Sequence, residues 1–212
     1  LACESWMDVK PDAAPRIASF THKGTIYHLP KAHGFNLVAL EYPLADEAFV
    51  RFMATGAERD LAILVGTLCR EEEVDPALVK TRGDRRVPLL TRWEAEARAD
   101  ELQGLSSDIG MSVVLFFAGL KEFVHASYGQ VLFEQPDSEE TDTTPQQSGL
   151  GWWGLYWQVA IDGPYGRHVD QVYQAPFHDV CLHMVERIRM QKEAEAKQRL
   201  NSPDFGRENP EI

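Results

Sequence analysis

Residues 107–128 read SDIGMSVVLFFAGLKEFVHASY. Ile109, Val113, Phe116, Phe117, Leu120 and Phe123 recur mostly at steps of three and four, the spacing of one helical face. Ser106 or Ser107 can supply the capping oxygen at its start. A helix this apolar, in a chain with 25% charged residues, belongs at the centre of a core. Its unbroken apolar run, Val113–Leu120, is far shorter than the roughly 18 residues that span a bilayer. No membrane is therefore expected as a partner. No basic segment followed by an apolar one marks a signal peptide.

Upstream, the pattern is helical with one exception. Thr91 with Glu94 three residues on forms a capping box for a helix reaching Leu102. Leu61, Leu64, Val65 and Leu68 share a helical face. Asp46 is placed to cap a short helix containing Phe49, Val50, Phe52 and Met53, closed by Gly56. The exception is Arg16–Phe20 and Thr25–Leu29, which flank Lys23-Gly24 and predict a β-hairpin. Between these elements, Glu71–Glu73 reads as a solvated acidic run. The polar stretch Pro76–Pro88 reads as a loop with a turn at Gly83-Asp84. In that turn, Gly83-Asp84-Arg85-Arg86 could present cations to a carboxylate or phosphate, but a surface turn with solvated charges is the expected reading.

Downstream, composition changes. Residues 134–150 carry Glu134, Asp137, Glu139, Glu140 and Asp142, no Lys or Arg, and two prolines. Such a segment buries too little apolar area to offset chain entropy, so a disordered acidic linker is expected there. Beyond it Trp152, Trp153, Leu155, Tyr156, Trp157, Val159 and Ile161 form an aromatic helix ended by Asp162-Gly163-Pro164. Val169, Val172 and Tyr173 give one more turn. Pro176 opens a long helix that becomes Gln-, Lys- and Glu-rich from Gln191, and residues 201–212 are expected to fray. The predicted fold is mainly α with a small β part. Residues 1–133 form a helical head with an N-terminal hairpin, 134–150 the linker, and 151–212 a small helical extension. The extension is too small to be stable alone, so it should pack on the head, on a copy of itself or on a partner.

Chemistry is sparse. His178, Asp179, Cys181 and His183 are the densest group of potential ligands. Only Asp179 and His183 match at i, i+4, and a metal needs three or four converging ligands. Completing a set from His22, His28 or His33 would require an arbitrary fold, so no metal or cofactor is expected. There is no Gly-x-Ser-x-Gly elbow, and Gly163-Pro164-Tyr165-Gly166 lacks the spacing of a phosphate loop. Cys3, Cys69 and Cys181 form no Cys-x-x-Cys pair, which suits reduced thiols in a cytoplasmic protein. The net charge of −12 argues against nucleic acid as the main partner. The sharpest binding signal is aromatic. Trp153 and Trp157 share one helical face, and Trp152 and Tyr156 the adjacent one. Aromatic anchors dominate protein interfaces, so these four are the candidate partner-binding residues, weighed against a purely internal role.

The order of head, short polar linker and helical extension resembles the tail assembly chaperones of long-tailed phages. The likeness rests on the extension, from Gly151-Trp152-Trp153-Gly154-Leu155 through Val169-Asp170-Gln171-Val172 to Pro176-Phe177-His178-Asp179-Val180. In the head it rests on Gly83-Asp84-Arg85 and the apolar Val113–Leu120 segment. It is a likeness of pattern without a diagnostic motif. The resemblance implies a non-enzymatic factor that binds the tail tube or tape-measure protein in the host cytoplasm and keeps it soluble. It also implies an extended form arising by translational frameshifting. The alternatives are a structural tail or neck protein of the virion and a small metal-dependent hydrolase using the His178–His183 region.

Overall fold

The computed structural model describes residues 10–132 and 151–201. The expected linker and the end of the chain past residue 201 lie outside them. The architecture is mainly helical with a small three-stranded antiparallel sheet.

The expected hairpin forms about Lys23-Gly24, with its first strand running from Ser19 to His22 and not from Arg16 to Phe20. β1 (Ser19–His22) and β2 (Thr25–His28) pair with Ser19 opposite His28 and His22 opposite Thr25. Lys23 and Gly24 both take positive φ, 48° and 85°, as a two-residue turn that follows strand twist requires. Cross-strand partners Phe20 and Tyr27 stack with centroids 5.4 Å apart on the core face. A third strand, β3 (Arg70–Glu71), pairs with β2 through Tyr27–Glu71 and His28–Arg70. The Glu71–Glu73 run is thus in part a strand.

A 3₁₀ turn at Ala32–Gly34 leads to α1 (Glu41–Thr55). This helix begins a turn before the Asp46 cap expected from sequence. Pro43 is compatible with that start because first-turn amides have no helical acceptor anyway. Asp46 lies inside the helix and pairs with Lys121. Gly56, at φ 68°, closes it. Next come α2 (Glu58–Leu68) and α3 (Pro76–Arg82). The second was expected to be a loop, yet its ends are well specified: the Asp75 side chain accepts from Ala77 N at 2.8 Å, Pro76 sits at the first helical position and Gly83 closes it at φ 64°. α4 (Arg92–Glu101) carries the predicted cap, with Thr91 Oγ1 accepting from Glu94 N, while the Glu94 carboxylate reaches one residue past the N-cap amide and accepts from Leu90 N.

The central helix, α5 (Ser107–Leu132), buries Val113, Phe116, Phe117, Leu120 and Val124 against Tyr42, Leu64, Val65 and Leu68. Full burial of each such side chain is worth about 1.5–3 kcal/mol. Its segment Ser107–Gly129 is long and apolar enough to cross a membrane by length and composition, which exceeds the short run read from sequence; an 18-residue window of it is 56% buried within the fold. Gly119 lies against the backbone of Asp12 and Ala13, so close that a Cβ would stand 2.2 Å from the Asp12 carbonyl carbon.

Residues 151–201 supply α6 (Trp152–Asp162), α7 (Val169–Gln174) and α8 (Phe177–Asn201). Tyr156, Val159, Ala160, Val172, Phe177, Val180, Cys181 and Met184 join the same core as α1, α2 and α5. The backbone joins them too. Val38 and Pro176 form an antiparallel bridge, Ala39 N and Leu40 N donate to Ala175 O and Tyr173 O, and Phe177 N donates to Leu37 O.

Candidate functional site

The four aromatic residues of α6 do not share one fate. The Tyr156 hydroxyl donates to Ala39 O at 2.9 Å inside the core, and burial drives its pKa well above the ordinary value. Trp152 is half-buried, edge-on to Tyr42 at 4.9 Å and near Phe177. Trp153 is half-buried too; its indole N–H donates to Glu47 Oε1 at 2.6 Å and its ring stands against Tyr173. Trp157 alone of the four presents most of its ring to water, at 60% exposure, with Ile161 exposed one turn later on the same side.

A second exposed indole was not singled out by sequence. Trp93 is 76% exposed in the first turn of α4, with Leu90 exposed just before it. The two regions are tied through Glu47, which holds the Trp153 indole with one oxygen and Arg92 with the other. Trp157 is one turn from Trp153, and Trp93 follows Arg92. Spacing alone could not find Trp93, because an aromatic residue behind a capping box reads equally well as core.

The Gly83–Arg86 turn is the largest departure from expectation. Asp84 and Arg86 are buried, and with Glu41 and Arg70 they form an interior ion network. Glu41 Oε1 lies 2.5 Å from Arg70 Nη2 and 3.1 Å from Arg86 Nη1. Arg86 also holds Asp84 at 2.9 Å and donates to Leu68 O and Asn36 O. Burial pushes the Asp84 carboxyl up, but the charge and hydrogen bonds of Arg86 and the charge of Arg70 more than offset it, and the net shift is downward. Burial lowers Arg70 to about 10 despite Glu41. The network pins α1, the end of α2, β3 and the turn together, and its cations are spent on internal carboxylates.

His178 and His183 do not converge. The His178 ring spans two partners, Tyr128 Oη at 2.8 Å and His33 O at 2.8 Å. Because a carbonyl can only accept, Nε2 carries a proton; the Tyr128 hydroxyl, able to donate or accept, bonds Nδ1. His183 instead stands edge-on to Tyr165. No group of three or more metal-ligating side chains comes together among the described residues. Burial raises the Cys181 thiol, and raises Cys69 to about 12 although three arginines oppose it; neither offers a thiolate near neutral pH. A cleft of about 260 Å³ between α1, α5 and α6 is lined by Tyr42, Asp46, Lys121, Val124, His125 and Trp152. Its lysine is already paired with Asp46 and lies over the Phe49 ring.

Comparison with protein-family models, curated proteins and solved structures finds no match.

Proposed function

We propose that the protein is a non-enzymatic binding factor for other proteins, a tail assembly chaperone that holds a tail tube or tape-measure protein soluble in the host cytoplasm. The observation that carries the binding role is the exposed Trp157–Ile161 face of α6, beside the Glu47–Arg92 knot that leads to Trp93. Leaving large apolar rings in water forgoes about 25 cal/mol per Å² that burial would return, and tryptophan is the residue type most enriched among interface anchors. The client class comes from the likeness in pattern described above. Neighbouring salt links suit a polar rim around such anchors. The test is capture of the tube or tape-measure protein of the same tail by the wild-type chain and by Trp157→Ala with Ile161→Ala. Loss of capture without loss of folding supports the reading; equal capture by both sinks it.

A further inference from the structure

The small sheet has two unlike faces. Phe20 and Tyr27 stack on the one that joins the hydrophobic core. On the other, the register sets His28 directly opposite Arg70, so the two side chains leave the same face with Cβ atoms about 5 Å apart. Glu72, two residues beyond Arg70 and bridged to Arg86, shares that face. Its carboxylate lies 3.9 Å from His28 Nε2. The side chains of Arg70 and His28 are 1% and 9% exposed. Glu41 holds Arg70 Nη2. Arg70 Nε, Arg70 Nη1 and His28 Nε2 are wholly buried and meet no hydrogen-bond partner among the described residues. Leaving buried polar groups unpaired is costly, and nearly all such groups bond either to protein or to ordered water.

From this geometry we infer that His28 and Arg70 form an internal binding site for ordered water on the polar face of the sheet. The occupant must accept from a guanidinium and bond an imidazole nitrogen in either tautomer. Water does both, and a buried water typically makes about three such bonds. A metal ion is unsuited, because guanidinium N–H groups only donate. An anion is unsuited for two reasons. Arg70 and Arg86 already face Glu41 and Asp84, one carboxylate for each cation. The Glu72 carboxylate beside His28 would also repel a second negative charge. Glu72, with its side chain 55% exposed, marks the side of the cluster nearer to solvent. The water extends the ion network, anchored on α1 at Glu41, through Arg70 to β2, so that side chains as well as backbone pairing tie the hairpin to α1. None of this depends on which protein the exposed tryptophans bind.

The experiment is a crystal structure of the full chain, grown with bromide and measured at the bromine absorption edge. Electron density should appear within about 2.7–3.2 Å of His28 Nε2 and of Arg70 Nε or Nη1, with no anomalous signal. Anomalous scattering at that position would make it an anion site and overturn the proposal. So would Arg70 Nε and Nη1 bonded to carbonyl or carboxylate oxygens with no density between them and His28. A solution measurement needs neither crystal nor variant. In the NMR spectrum of the full chain, the Arg70 Nε proton should cross-relax with water, with NOE and ROE of opposite sign, which marks a bound water as distinct from proton exchange. Arg59, with 49% of its side chain exposed, should show exchange alone. The same exchange-only behaviour at Arg70 would contradict the site.

Discussion

Glu41→Ala removes the acceptor on which two buried guanidiniums converge. Glu41 is wholly buried; Oε1 contacts Arg70 at 2.5 Å and Arg86 at 3.1 Å, and Oε2 accepts from Val38 N at 2.8 Å. Without it, Arg70 and Arg86 are left with Asp84 as the one anion in direct contact, and Asp84 stands 3.7 Å from Arg70. Breaking a buried ion pair by deleting one partner costs about 3–5 kcal/mol, because the remaining charge is stranded. That is a large share of a typical stability of about 5–15 kcal/mol. For a chain of this length it lowers the melting temperature by about 6–20 °C, at about 2–4 °C per kcal/mol. Urea unfolding of the full chain, followed by tryptophan fluorescence and by circular dichroism, measures it. The decisive comparison is Glu41→Leu combined with Arg70→Met, which removes one charge of each sign and leaves Arg86 with Asp84. The double variant should be more stable than Glu41→Ala alone. A single variant within about 1 kcal/mol of wild type would refute the reasoning, since it would mean that no charge is stranded. So would a double variant as destabilised as the sum of its parts.

Two further outcomes follow from single sites. Gly119→Ala puts a methyl into the backbone of Asp12 and Ala13; overpacking of this kind costs about 1–3 kcal/mol, and limited proteolysis should cut residues 10–16 faster than in wild type while α5 stays resistant. Asp84, with its folded pKa depressed by Arg86 and Arg70, contributes stability that is present above the unfolded carboxylate value near 3.9 and is lost as pH falls through the folded value; the acid fall in melting temperature should flatten in Asp84→Asn.

What the sequence disclosed depended on how local each signal is. The hairpin turn, the Thr91 cap, the central helix and the three described helices after residue 150 are written in neighbouring residues and form where they were read, although the first strand lies at Ser19–His22 and not Arg16–Phe20. α3 was equally local: Asp75, Pro76 and Gly83 are its cap, first-turn proline and terminator, passed over because the stretch is polar. The start of α1 was misplaced because Asp46 is a good cap in isolation, whereas burial of Glu41, Tyr42 and Pro43 sets the true start. The ion network had no local signature. Glu41 and Arg86 are 45 residues apart, and Gly-Asp-Arg-Arg looks like a solvated turn until a carboxylate from α1 arrives beside it. For the aromatic helix, spacing showed that two faces carried rings. Which face is interior depended on Ala39, Glu47 and Tyr173, so only Trp157 keeps the open surface expected of all four.

The most direct test of the proposed role is a solubility assay. The tube subunit and the tape-measure protein of the same tail are each expressed alone, with the wild-type chain, and with Trp157→Ala plus Ile161→Ala. Because Trp157 and Ile161 are both exposed, the variant should stay within about 0.5 kcal/mol of wild-type stability per site. The expected result is a client that stays soluble and copurifies with the wild-type chain, and precipitates alone or beside the variant. Clients whose solubility is the same in all three conditions would contradict the chaperone reading.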